Sequence, residues 1–175
     1  WLAGAHTAVG AVRNLMDPHA LQYPDDTGAS QPQPSRFHDP SFYCGTRDNA
    51  GVHLNSTVPG HAFYLLAEGG NHNGCAVGAV GLDVAKQVFY RAWVTYFTST
   101  ATFNEAYFAL QQAAADLYPQ EIVDQVRVAL QAVEMDQPGL CSGLPAVTPA
   151  CANLSAVPDD LVSAAEGSSI RYCGP

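Results

Sequence analysis

Basic residues are scarce in this chain: seven Lys and Arg stand against sixteen Asp and Glu, a formal net charge of −9. That balance argues against nucleic acid or an anionic membrane surface as a partner, since either would repel it. Long apolar runs are missing too, and none approaches the ~18 residues that a membrane-spanning helix needs. There is no Cys-x-x-Cys pair or zinc knuckle, no internal repeat, and little of the alternation that marks strands. The chain opens on Trp1, not Met, without the charged, apolar and small-residue succession of a signal peptide. A processed product, or a piece of something longer, is therefore expected.

What is present suits a globular fold. The chain has 175 residues, 47% of them hydrophobic and only 13% charged, enough for one domain with a real core. Acidic character of this kind also fits a soluble secreted protein or a calcium binder. Cys44, Cys75, Cys141, Cys151 and Cys173 are numerous for a reducing compartment, which favours disulfides. Cys141 and Cys151 are spaced to close a short loop. The odd count leaves one thiol free or paired outside the chain, and the connectivity stays open.

Periodicity divides the chain into an irregular start, a helical middle and an irregular end. Residues 1–18 mix apolar and small side chains up to a turn at Met16-Asp17-Pro18, and from Tyr23 to Thr46 the composition shifts to Pro, Asp, Ser and Gln. A helix is predicted from Ser56 or Thr57, either able to cap it, with Pro59 in the first turn and Gly69-Gly70 as the stop. Residues 71–82 read as a Gly-rich connector. Asp83 is placed to cap a second helix, in which Val84, Val88, Phe89, Ala92, Trp93 and Tyr96 recur at three- and four-residue steps. Thr102 and Glu105 have capping-box spacing for a third, with Ala106, Leu110, Ala113 and Leu117 on one face. Pro119 closes that helix or opens a fourth carrying Ile122, Val126, Ala129 and Val133. Beyond Pro138 the helical period is lost. An all-α bundle with short connections follows from this pattern alone.

The chemistry-bearing stretch is Arg47-Asp48-Asn49-Ala50-Gly51-Val52-His53-Leu54-Asn55-Ser56, directly ahead of the first helix. An isolated Asp-x4-His spacing is commonplace. An Asp that accepts a hydrogen bond from one imidazole nitrogen, however, fixes the tautomer and supports the protonated ring, leaving the other nitrogen to donate to an anion. The whole decamer, together with the helix that follows it to Gly70, closely resembles the active-site His region of thermolysin-like zinc metallopeptidases, the M4 family. Ala11-Val12-Arg13-Asn14-Leu15-Met16-Asp17-Pro18 is similar to a second segment of that family. Val88-Phe89-Tyr90-Arg91-Ala92, Tyr96-Phe97-Thr98, Phe103 and Ala113-Ala114-Ala115-Asp116-Leu117-Tyr118 resemble its successive core helices.

The resemblance implies residue roles. His53 would stabilise the oxyanion formed when metal-activated water attacks a peptide carbonyl, and Asp48 would orient it. Arg13 would hold a substrate carbonyl beside the cleaved bond, a task that suits a planar, permanently charged fork of donors. Val12 would form an apolar wall on the leaving side. The plain alternative for Arg13 is a surface ion pair with Asp17, four residues on. His6, His19, His38, His61 and His72 show no metal spacing and read as surface or loop residues. No H-E-x-x-H occurs anywhere, so neither the zinc ligands nor the general base are expected from this chain. The family's acidic residues after the opening Trp are replaced by Ala5 and His6, which argues against a calcium site there, although calcium is possible in the parent. Its Pro-Asp-His reads Pro24-Asp25-Asp26, and the Cys44-bearing stretch and the tail are longer than the family pattern.

The expected fold class is mainly α, of the thermolysin C-terminal domain type, with an irregular lead-in and a cysteine-bearing, loop-rich tail. The expected boundaries are residues 1–135 for the helical domain and 136–175 for the extension. The expected function is half of the active site of a secreted zinc endopeptidase acting on peptide or protein substrates, its zinc bound by a preceding domain of the same polypeptide. Alone, the chain is expected to be inactive. A second hypothesis is a non-catalytic extracellular module descended from such a protease; retention of both Asp48 and His53 speaks against it. A third, a disulfide-rich binding domain, would have to be predominantly β.

Overall fold

The computed structural model describes residues 1–8 and 10–137. The tail that carries Cys141, Cys151 and Cys173 lies outside the described residues. The architecture is mainly helical, as the periodicity predicts. Helix α1 is Arg47–Asn55, α2 Thr57–Glu68, α3 Leu82–Thr95, α4 Phe103–Leu117 and α5 Gln120–Ala132. Short antiparallel pairs flank the helices: β1 (Leu2–Ala3) with β2 (Arg13–Asn14), β3 (Gln22–Pro24) with β4 (Ser30–Pro32), and β5 (Gly70–His72) with β6 (Cys75–Val77). A single 3-10 turn, Pro18–Ala20, follows β2.

Helices α2 to α5 enclose one core. Val58, Leu65 and Leu66 of α2, Val88 and Ala92 of α3, Leu110 and Ala113 of α4, and Val126 and Leu130 of α5 are all buried in it. Several local signals act as read. Thr102 and Glu105 form a reciprocal capping box on α4, and Pro119 opens α5 rather than closing α4. Gly69, with φ of 76°, ends α2 and bonds back to Leu65.

Three expectations need correction. Asp83 does not cap α3: the cap position is Gly81, while Asp83 sits in the first turn and accepts from Lys86. The 71–82 connector contains the β5–β6 hairpin, whose turn residues Asn73 and Gly74 both adopt positive φ. That Asn-Gly dipeptide is a strong hairpin signal because both central positions of such a turn are left-handed. Finally, His61 is no surface residue. It occupies the inner face of α2, 4% exposed, and His72 packs edge-on against it with ring centroids 4.5 Å apart.

The lead-in contains little regular structure but is well tethered. Phe37 donates its backbone N–H to Val133 and meets Phe42 and Phe103 edge-on. Glu134 anchors a second point. Its carboxylate accepts from Arg36 at 2.6 Å, the His38 backbone at 2.7 Å and Asn73 at 3.0 Å. Its backbone is left-handed, with φ of 62°, so these three bonds offset a conformation that a non-glycine residue otherwise avoids. The lead-in is thereby pinned to the end of α5 and to the hairpin turn.

Candidate active-site wall

The segment that holds Asp48 and His53 is not a continuous right-handed helix. Asp48, Asn49, Ala50 and Gly51 have φ between 49° and 77°, so α1 begins with a left-handed turn before continuing right-handed. Each non-glycine residue held this way costs about 1–2 kcal/mol. The surroundings oppose that cost. At its entry, Arg47 pairs with Asp26 at 2.6 Å and Tyr43 donates its hydroxyl to the same carboxylate at 2.8 Å. At its exit, the buried Asn55 both accepts from the Tyr43 N–H at 3.0 Å and donates to the Tyr43 carbonyl at 2.8 Å. Gly51 is required on two grounds. Its φ is 77°, and a Cβ there would lie 2.6 Å from the Tyr43 ring.

The left-handed turn folds Asp48 back onto His53. One carboxylate oxygen accepts from the His53 backbone N–H at 2.9 Å, and the other lies 2.5 Å from Nδ1. The hydrogen bond from the His53 side chain holds the Asp48 carboxyl below its ordinary value, so it stays ionised at neutral pH. The His53 ring is 76% exposed, which leaves its Nε2 edge facing solvent.

Arg13 comes to the same place from β2. It does not pair with Asp17. Its Nη2 donates to the His53 carbonyl, Nη1 to the Val12 carbonyl at 2.6 Å, and Nε to the Ser56 hydroxyl at 3.4 Å. Ser56 donates in turn to the His53 carbonyl at 2.8 Å. Partial burial lowers the Arg13 pKa somewhat, and Asp48 acts in the opposite sense. Of the five N–H groups on a guanidinium, these contacts use three, leaving donors on both terminal nitrogens. Val12 is neighbouring and exposed. The structure thus joins His53, Asp48 and Arg13 in one hydrogen-bond network, with the Val12 carbonyl bonded to Arg13.

Two residues of this arrangement were not singled out from the sequence. Ser56 occupies the cap position of α2, but its hydroxyl makes no cap bond and instead joins Arg13 to His53. Asn55 fixes the turn from below. Both lie inside the Asp48–Ser56 run, so their place in that run was the signal available. Among the described residues, no group of three or more His, Cys, Asp and Glu side chains is arranged to hold a metal ion.

Comparison with known proteins places the chain in a family. Residues 1–135 match the family described as the thermolysin metallopeptidase, alpha-helical domain. The chain is 42% identical over 114 residues to the thermostable neutral protease NprT of Geobacillus stearothermophilus, covering 62% of this chain and 21% of that protein. Thermolysin of Alicyclobacillus acidocaldarius matches equally, at 42% over 114 residues, with the same shares of each chain. Neutral protease B of Bacillus subtilis is 38% identical over 108 residues, covering 62% of this chain and 18% of its own length. The chain therefore spans about a fifth of the length of these curated relatives.

Proposed function

The chain belongs to the thermolysin metallopeptidase family, of which it carries the alpha-helical domain, and from that premise we propose that it forms one wall of the active site of a secreted zinc endopeptidase. The observation that carries the proposal is the Asp48–His53 pair, held in a left-handed turn with the imidazole exposed. An ionised carboxylate on Nδ1 keeps that nitrogen protonated and the ring oriented. Nε2 is then available to donate to an oxygen on which negative charge develops. A donor aimed at such charge is worth about 3–4 kcal/mol, roughly two to three decades of rate.

The remaining donors of Arg13 suit a carbonyl of the bound peptide next to the reacting one, and Val12 supplies apolar surface beside it. Through Ser56 and the His53 carbonyl, the substrate-holding and charge-stabilising groups share one scaffold. The metal ion, held by residues of a preceding domain, would supply the activated water. No ligand for it is assigned within this chain, so proteolysis by the chain alone is not expected. The cysteines fit an oxidising compartment: neither Cys44 nor Cys75 stands without a partner, and we read both as disulfide-bonded.

The test is His53→Ala in the full-length protein, with zinc content measured beside proteolysis. The expected result is a fall in kcat of two to three decades with zinc content unchanged. An unaltered kcat removes His53 from the mechanism.

A further inference from the structure

The segment that carries Arg13 has little of its own to hold it. β2 is two residues long and pairs in a two-stranded ladder with β1, itself no longer, and neither strand is buried. A ladder this short is marginal in water. What fixes the segment comes from outside it. On one side of Arg13, the Val12 carbonyl accepts from the buried Gln33 amide at 3.1 Å. On the other, the Leu15 carbonyl accepts from His61 Nδ1 at 2.8 Å. Leu15 is also seated tightly: a Cβ added at Gly60, the residue before His61, would lie 2.9 Å from its Cδ2. Consecutive residues of α2 thus hold both the side chain and the backbone of Leu15.

Packing alone does not call for an imidazole there. A carbonyl can only accept, so Nδ1 carries the proton, and burial keeps the ring neutral. That leaves Nε2 a bare acceptor, buried and without a partner among the described residues, in a ring that lies edge-on to His72 and nearly parallel to Tyr64. A buried acceptor left unpartnered is unfavourable, and a leucine at this position would not incur that cost. What the histidine adds is its Nδ1 donor. The same helix receives the other end of Arg13. α2 follows directly on Ser56, whose hydroxyl accepts from the Arg13 Nε at 3.4 Å and donates to the His53 carbonyl that Nη2 also meets. Ser56 and His61 are separated by about 7.5 Å of helical rise. α2 therefore meets the guanidinium at its start and the backbone just beyond Arg13 one turn later.

We propose that His61 is a positioning residue for substrate binding: by holding the Leu15 carbonyl to α2, it fixes the place from which Arg13 reaches the peptide. The inference rests on the proposed function in that it takes Arg13 as the donor to a substrate carbonyl. It adds a buried group, itself shielded from the substrate, on which that aim depends. Arg13 is read as holding the peptide beside the reacting carbonyl and not at it. Loss of its aim therefore weakens ground state and transition state alike, which raises KM and leaves kcat in place.

The test is steady-state kinetics on the full-length protein carrying His61→Leu, which keeps the bulk without a donor, or His61→Asn, whose amide nitrogen takes the place of Nδ1. Each is also made in an Arg13→Ala background, and thermal melts confirm that the assays are run on folded protein. If His61→Leu does not fold, His61→Ala replaces it. The expected result for His61→Leu is a roughly tenfold rise in KM with kcat within about twofold of wild type. His61→Asn should restore KM, and His61→Leu should add nothing once Arg13 is Ala, because two residues acting through one contact are not additive. A KM that stays at the wild-type value, that rises as much without Arg13 as with it, or that Asn and Leu raise equally would each overturn the inference. So would a loss confined to kcat. Arg13→Ala alone separates the two readings. An unchanged KM there removes Arg13 from substrate binding and takes the positioning role with it. A raised KM beside a silent His61→Leu removes the positioning role only.

Discussion

His53 and His61 lie eight residues apart and have opposite surroundings. The ring of His53 projects into solvent with a carboxylate on Nδ1. His61 is buried, its Nδ1 donating to the Leu15 carbonyl at 2.8 Å, while its Nε2 has no hydrogen-bond partner among the described residues. Its neighbour His72 likewise has a buried, unpartnered Nε2. Burial holds the pKa of His61 below its ordinary value and pushes that of His72 down to about 4. The same side chain is thus a candidate donor to anions in one place and a neutral packing group in the other. The difference lies in solvent and in the partner on Nδ1: His53 is exposed beside a carboxylate, whereas His61 faces a backbone carbonyl in a dry pocket that disfavours the charged ring.

The largest expected effect separates the two directly. His53→Ala in the full-length protein is expected to lower kcat by roughly two to three decades and leave the melting temperature nearly unchanged. His61→Ala is expected to do the reverse, lowering Tm and leaving kcat near wild type. Parallel kinetics and thermal melts on both variants make the measurement, and a matching kcat loss at His61 would erase the distinction.

Asp48→Asn sharpens the same contrast at a smaller amplitude. It keeps the shape of the orienting partner but removes the charge, and loss of an orienting group of this kind costs about 10- to 100-fold. A kcat equal to wild type would show that the ring needs no anionic partner. Gly51→Ala probes the turn beneath the pair. The left-handed conformation alone should cost about 1–2 kcal/mol of stability. The approach to the Tyr43 ring adds to this, and chemical denaturation reads the sum. A variant as stable as wild type would mean that the turn relaxes freely and does not determine the His53 position.

The smallest effect concerns acid. His72 has a folded pKa of about 4 against an ordinary 6.5, so the unfolded chain binds a proton more readily between those values. Its contribution to stability is therefore complete above about pH 6.5 and is lost as the pH falls toward 4. Because the ring is partly exposed, the slope should correspond to only a fraction of a proton. Denaturation midpoints for the wild type and His72→Gln across that range should diverge, the wild type being the steeper. Parallel curves would place the acid sensitivity elsewhere. Asp39 acts only below that range. Its carboxylate is part-buried yet held strongly below the ordinary range by the Ser41 and Ser35 bonds and by His19, so its contribution fades only below about pH 4, where the unfolded carboxylate takes up its proton.

Local signals were legible wherever the cause was local. The α4 capping box and the Gly69 stop each depend on residues within one turn, so the sequence determined them by itself, whereas it left Pro119 to close α4 or open α5 until the fold decided. The identity of the catalytic candidates was also legible, because Asp48 and His53 stand in one short run and Arg13 in another. His61 could have been placed as well: it shares a helical face with Val58, Ala62 and Leu65, and a face shared with core residues is buried whatever the side chain's polarity. The Asn73-Gly74 hairpin is written in its turn residues, but strands of only three residues leave too little alternation to mark it.

What the sequence could not settle was assembly. Nothing local tells that four residues would turn left-handed, because that conformation is unfavourable in isolation and persists only where Asp26, Tyr43 and Asn55 hold both of its ends. Nor does spacing alone bring Arg13 to the His53 carbonyl, forty residues away, instead of to Asp17. That choice is made only in the folded chain, where the guanidinium donates to a carbonyl far away along the sequence. Short-range preferences named the helices and the reactive groups. Only the tertiary structure could bring those groups together, because the strain of the left-handed turn is met by bonds involving Asp26, Tyr43 and Asn55.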